Sequence, residues 1–219
     1  MRINKYIAQA TDLSRRAADT AVSEGRVQIN GRTADAGSQV GDQDLVTLDG
    51  TPLFVEQATT TILYNKPFGY VVSRDGQGSK TIYDTLPLEY RQLNPVGRLD
   101  KNSSGLLLLT NDGVLANELT HPRYAKIKIY EIRLNQQLAP LHQQMINDRG
   151  ISLEDGLSQL QLEKLDDEGY AWRVTMREGR NRQIRRTFSA LDYTVTRLHR
   201  THFGEYALGD LAKGKTKIT

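Results

Sequence analysis

Asp100 stands in GRLDKNSSGLLLLTNDG, residues 97–113, where a loop dense in polar side chains runs directly into consecutive leucines. The apolar run 106–109 is too short for anything but a buried strand or part of a buried helix, and glycine-containing turns close it at both ends. The loop before it is therefore displayed at the mouth of a rigid element, carrying Arg98, Asp100, Lys101, Asn102, Ser103 and Ser104. An ionised, oriented carboxylate in such a place is a competent nucleophile. The competing reading is an ordinary polar turn in which the aspartate caps backbone.

A second segment, REGRNRQIRRTFSALDY at residues 177–193, is a basic loop running into a helix. On a helical wheel Ile184, Phe188 and Leu191 share one face, Arg182 and Arg186 point away from it, and Arg185 lies at the border. A border arginine can bury its stem against a sheet and turn its guanidinium toward a neighbouring loop. If that loop holds Asp100, the positive charge keeps the carboxylate ionised; the alternative is that the arginines grip phosphate. A third candidate lies in AKIKIYEIRL, residues 125–134, where Ile127 and Ile129 share one face and the apolar face then shifts to Tyr130, Ile132 and Leu134. That slip points to a bulge or a change of environment able to re-aim Tyr130 toward a site. A core tyrosine with a satisfied hydroxyl is the alternative.

The elements that must position these groups fall into two parts. Residues 1–48 read as a small unit, opening with an amphipathic stretch around Ile3, Tyr6 and Ile7. Ser14 then caps a second helix that ends at Gly25. Arg15 and Arg16 in its first turn oppose the helix dipole, a placement suited to an anionic ligand. Asn30-Gly31 marks a hairpin and a strand 45–48 ends at Asp49-Gly50. Residues 49–59 read as a linker, and a domain of residues 60–219 follows. Strand-like runs at 61–64, 70–73, 106–110, 126–134, 170–176 and 195–199 alternate there with helical ones at 114–119, 139–147 and 181–191. The expected class is α+β, on a mixed, mainly antiparallel sheet with flanking helices.

Composition narrows the chemistry. The 219 residues include no cysteine, which removes disulfides, thiolate nucleophiles and cysteine-ligated metals together. The four histidines form no ligand cluster in the sequence, so no metal is expected. No apolar segment is long enough to span a bilayer and the N-terminus lacks a signal-peptide core, so a cytoplasmic address and no membrane partner are expected. The net charge is only +3, but residues 172–219 hold 11 Lys and Arg against 4 Asp and Glu. Basic charge gathered at one end favours a polyanion such as nucleic acid.

The segment RINKYIAQATDLSRRAADTAVSEGRVQING resembles the αL RNA-binding module first recognised in a small-subunit ribosomal protein. Many members of that family complete a capping box with Glu where Ala17 stands here. The resemblance implies RNA binding through a local face of Arg2, Lys5, Arg15, Arg16, Arg26 and Arg32. In the larger domain, NKPFGYVVS, GRLDKNSSGLLLLTNDG, the Lys128 and Tyr130 pair, GRNRQIRRTF and VTRLHRTHFGEYALGDLAKGK occur in the order and spacing of the pseudouridine synthases that modify ribosomal RNA. That likeness implies a pseudouridine synthase catalytic domain. In it Asp100 is the catalytic aspartate, Tyr130 the tyrosine stacked on the target base and the proton acceptor, and Arg185 the ion-pair partner of the aspartate. Arg98 would help displace or replace the flipped uridine, with Lys101, Arg180, Arg182 and Arg186 on RNA. Ile127 stands where many relatives have Glu, while Lys128 and Tyr130 are kept.

Isomerising a uridine breaks and remakes one bond to the sugar with no redox change, so no cofactor is expected. The expected partner is ribosomal RNA, in ribosome precursors, with large-subunit RNA preferred and small-subunit RNA the alternative; no obligate protein partner is implied and the chain is expected to be a monomer. The runner-up is a non-catalytic RNA-binding or ribosome-assembly factor. A glycosidase would need a pair of carboxylates and a metal nuclease a cluster, where this chain displays one.

Overall fold

The structure, a computed structural model, describes residues 1–41, 43–55 and 59–219. They form two compact units, Met1–Thr59 and Thr60–Thr219.

In the first unit, helices α1 (Ile3–Ala10) and α2 (Arg15–Ser23) precede strands β1 (Val27–Ile29), β2 (Arg32–Thr33), β3 (Val46–Leu48) and β4 (Thr51–Leu53). The strands make an antiparallel sheet in the order β2-β1-β3-β4. Ile3, Ile7, Ala18, Ala21, Val22, Val27 and Val46 form the core. The Ser14 Oγ accepts from the Ala17 N–H at 3.1 Å, capping α2. Ser14→Ala should therefore lower the thermal stability of this unit by about 1 kcal/mol, read as a drop in its melting transition. Residues 51–53, expected within a linker, instead form β4. Asp49 and Gly50 both adopt positive φ (51° and 76°), making a two-residue turn that folds the chain back onto β3. There Leu53 is buried and its carbonyl accepts from the Tyr6 hydroxyl at 3.0 Å. Of the expected linker, residues 56–58 lie outside the described residues.

The second unit carries β5 (Thr61–Lys66), β6 (Asn94–Pro95), β7 (Ser104–Thr110), α3 (Gly113–Thr120), β8 (Lys128–Leu134), α4 (Pro140–Gln144), β9 (Ile151–Leu153), β10 (Gly156–Ser158), β11 (Gln161–Lys164), β12 (Ala171–Met176), α5 (Gln183–Ser189), β13 (Val195–Phe203), β14 (Tyr206–Ala207) and β15 (Thr216–Ile218). The main sheet runs β11-β12-β8-β13-β7-β5-β15. Among the described residues its pairings are antiparallel except β13 with β7, so the sheet is mixed and mainly antiparallel. Strand β7 is buried on both faces, which explains its unbroken leucines. Leu107 and Leu109 join the core with Ile132, Trp172 and Phe188, while Leu106 and Leu108 pack with Phe203 and Leu119. At Gly105 (φ 102°) a Cβ would lie 2.2 Å from the Arg200 carbonyl oxygen, so only glycine admits β13 this close.

Several elements differ from expectation. Residues 70–73 form no strand: Gly69 has φ 93°, and only Val71 pairs, donating to Lys80 O at 2.9 Å and accepting from Ile82 N–H at 3.0 Å. The helix expected over 181–191 is the shorter α5, because Arg182 takes left-handed backbone (φ 48°) at its N-cap. The helix expected over 139–147 is α4 followed by a wider π-helical turn, Met145–Arg149. Strands β9 and β10 form an antiparallel hairpin too short for sequence periodicity to reveal.

Candidate active site

A cavity of roughly 1220 Å³ opens in the second unit, and Arg98, Asp100, Lys128, Tyr130, Arg182 and Arg200 are among the residues lining it. Asp100 reaches it from the loop between β6 and β7, whose main chain is held at four successive carbonyls. Lys66 Nζ donates to Asp100 O at 3.2 Å and Ser103 O at 2.8 Å, Gly69 N–H to Lys101 O at 2.8 Å, and Arg185 Nη2 to Asn102 O at 2.6 Å. With the backbone fixed this way, the side chains are free to face the cavity in one geometry.

Lys66 ends β5, is fully buried, and completes its donors on Pro67 O at 3.1 Å. Burial pushes its ammonium down to about 8, against an opposing pull from the charge of Asp100. The sequence reading missed this residue. Its sequence signal is a lysine closing the strand TILYNK at the head of the segment NKPFGYVVS.

The ion pair of Asp100 is with Arg182, Nη1 to Oδ2 at 3.6 Å, and not with Arg185 as expected. Left-handed backbone takes Arg182 out of the helix and swings it over the cavity. Arg185 instead ties the loop to β13, donating to Asn102 O and, through Nη1, to Val195 O at 2.5 Å. Burial first and the neighbouring Arg182 second lower its basicity, while Asp100 opposes both.

Tyr130 lies in β8, opposite Val174 of β12 and Arg200 of β13. Its ring is buried, and its hydroxyl has no hydrogen-bond partner among the described residues. The expected irregularity is present but belongs to the partner strand: the pairing with β8 slips between Arg200 and His202. The slip sits directly beside Tyr130.

The basic residues separate into free and occupied sets. Arg98 is exposed and makes no ion pair among the described residues. Lys101 does not line the cavity and donates to Ser79 Oγ at 3.1 Å. Arg180 and Arg186, expected on RNA, converge on Asp155 at the tip of the β9-β10 hairpin, at 2.9 Å and 2.7 Å. Hydrogen bonding to Arg186 holds the Asp155 carboxyl below the usual carboxylate range. In the first unit Arg2, Arg15, Arg16 and Arg32 are exposed and Lys5 half-buried. Arg26, expected on RNA with them, is instead engaged by Asp49 at 2.5 Å and Glu24 at 3.3 Å.

A carboxylate on a fixed loop, a guanidinium beside it and an unpartnered phenol in one cavity suit attack on, or proton removal from, a nucleotide sugar and proton transfer at its base. Known proteins similar to this chain fall in one family. Residues 60–190 match the family model described as RNA pseudouridylate synthase, and residues 1–46 match the S4 domain. The chain is 37% identical to a ribosomal large subunit pseudouridine synthase B of Xanthomonas campestris, over 98% of this chain and 46% of that protein. It is 35% identical to a protein of the same name from Bacillus subtilis, over 99% of this chain and 91% of that one. The chain spans about half the length of several curated relatives. A solved structure described as a pseudouridylate synthase superposes with a TM-score of 0.72 at 28% identity, covering 100% of this chain and 96% of the other. The chain therefore belongs to the RNA pseudouridylate synthase family, with an S4 domain at its N-terminal end.

Proposed function

We propose that this protein isomerises a uridine of ribosomal RNA to pseudouridine, with Asp100 as the reacting carboxylate. The observation that carries this reading is the placement of Asp100, Arg182 and Tyr130 in one cavity on a loop pinned through its backbone. The bond from C1′ to N1 breaks, uracil leaves with the electron pair, the ring turns, and a bond from C1′ to C5 forms as Asp100 leaves C1′ or gives the sugar proton back; C5 then loses its proton and N1 gains one, so the product is an isomer and Asp100 is regenerated. Asp100 attacks C1′ or takes a sugar proton, and the Tyr130 hydroxyl accepts the C5 proton. Arg182 neutralises charge beside Asp100, while Arg185 positions the loop without touching the substrate. The reaction balances without an external oxidant or reductant, and the residues need no cofactor for it.

The uridine must leave its stack to reach Asp100, at a cost lowest in loops and unfolded RNA. Arg98, exposed at the rim, is placed to fill the vacated stack. Arg2, Lys5, Arg15, Arg16 and Arg32 supply a separate RNA-binding face on the first unit. The names of the relatives favour large-subunit RNA; that the protein meets it in ribosome precursors, in the cytoplasm and as a monomer is part of the same proposal. No described helix is long and apolar enough to cross a membrane.

Transcripts of both ribosomal RNAs carrying tritium at uracil C5 test the reading. Release from large-subunit RNA alone supports it in full, and release from small-subunit RNA alone corrects the substrate. Tight binding without release from either RNA or from precursor particles leaves the non-catalytic assembly factor. In the same assay Asp155→Ala, which strips Nη1 and Nη2 of Arg186 of their carboxylate but leaves Arg180 on Glu178 and on the carbonyls of residues 155–157, loosens the loop bearing Arg182 and should lower turnover about 10-fold. Binding would persist, since the Arg186 guanidinium gains freedom to meet phosphate.

A further inference from the structure

Lys128 and Arg200 line the cavity beside Tyr130, each out of ion-pair reach of the carboxylates of Asp100 and Glu178 that line it too. Arg200 is 2% exposed; among its nitrogens Nε donates to Leu106 O at 2.7 Å, and Nη2 is buried with no partner. Its guanidinium carbon lies 4.7 Å from the centre of the Phe203 ring, and Lys128 Nζ lies 5.2 Å from the same centre. Among the described residues the only acceptor for that ammonium is Lys126 O at 3.3 Å, a long contact. The main chain at Gly179 passes close above Lys128, with space for a Cβ only 3.6 Å from its Cε. Neither cation makes an ion pair among the described residues. Burial and the charge of Arg200 both lower the basicity of Lys128, as two like charges enclosed together must.

We propose that Lys128 and Arg200 form a phosphate subsite within the active cavity, holding a backbone phosphate that flanks the target uridine. Two enclosed charges of one sign call for a permanent charge of the other. A uridine base is neutral before reaction, whereas RNA carries one negative phosphodiester per nucleotide. The unused N–H groups of a guanidinium can donate to two phosphate oxygens as a bidentate pair. Arg200 and Tyr130 are cross-strand partners, so a phosphate held there fixes the nucleotide whose base lies against Tyr130. This inference rests on the reading of the cavity as a nucleotide site.

Calorimetric titration with uridine, uridine 3′-monophosphate and uridine 5′-monophosphate at millimolar concentration tests it, with tritium release from ribosomal RNA measured alongside. Wild-type protein should bind one of the monophosphates about tenfold more tightly than uridine. Lys128→Gln and Arg200→Gln should each remove most of that advantage and leave uridine affinity unchanged. If Arg200→Gln fails to fold, the half-buried Lys128→Gln decides alone. Equal affinity of wild type for uridine and both monophosphates, or no saturable binding of either monophosphate, overturns the subsite. So does a Lys128→Gln protein that keeps the phosphate preference and loses only turnover, which would assign the pair to the departing uracil. A phosphate preference without tritium release would keep the subsite and remove the synthase reading, so the two fail separately.

Discussion

Asp100→Asn should cut single-turnover tritium release by at least about four orders of magnitude, the loss typical when a reacting group is removed and its surroundings are kept. Stability should barely change. The Asp100 carboxylate makes one ion pair, at 3.6 Å, between side chains that are 38% and 46% exposed, a contact worth at most about 1 kcal/mol. Nor should the loop move, because its carbonyls are held by Lys66, Gly69 and Arg185 whatever stands at position 100. RNA affinity should be kept or rise slightly, since Arg182 loses its partner and gains freedom to meet phosphate. Filter binding beside the tritium assay separates the two quantities. An Asn variant that retains more than about one hundredth of the turnover would remove Asp100 from the chemistry.

The contrast between Arg182 and Arg185 shows how far the sequence could be read. The wheel that placed Arg185 at the border assumed a helix from residue 181, and inside α5 it was sound: Ile184 and Phe188 are buried as it requires. Arg182 precedes the helix with φ 48°, so its direction is set by one left-handed residue that no periodicity encodes. The leucine run, the capped helix α2 and the Asn30-Gly31 turn were legible because each is decided by neighbours a few residues away. The slip at Tyr130 was legible too, although its cause is an extra residue in β13, far along the chain. Asp155 escaped notice because a single carboxylate in a short hairpin carries no signal until two arginines converge on it.

Lys66 was hidden for a related reason, and it yields the second large effect. A buried lysine is tolerated only with acceptors, and here these are carbonyls 34 and 37 residues away, together with that of the next residue. Lys66→Met keeps the length of the stem and removes the donors to the Pro67, Asp100 and Ser103 carbonyls, of which Asp100 O keeps the Ser103 N–H at 3.0 Å. The expected cost is about 3 kcal/mol of stability in thermal unfolding, partly offset because an enclosed charge is also removed. Turnover should fall about 100-fold from displacement of the carboxylate, with RNA affinity kept. The pH dependence separates this role from simple packing. In the folded protein Lys66 loses its proton near pH 8, against 10.5 when unfolded. Between those values the unfolded chain binds the extra proton, so the contribution of this group to stability rises with pH, by on the order of 3 kcal/mol across the window. Activity should move the other way. Above about pH 8 the ammonium becomes an amine with one fewer N–H for its three carbonyls, and the loop loses part of its hold. Wild-type turnover should thus decline on the alkaline side while the melting temperature does not fall in step, and Lys66→Met should lack that limb. An unaltered alkaline limb in Lys66→Met would show that another group titrates there, leaving Lys66 as packing alone.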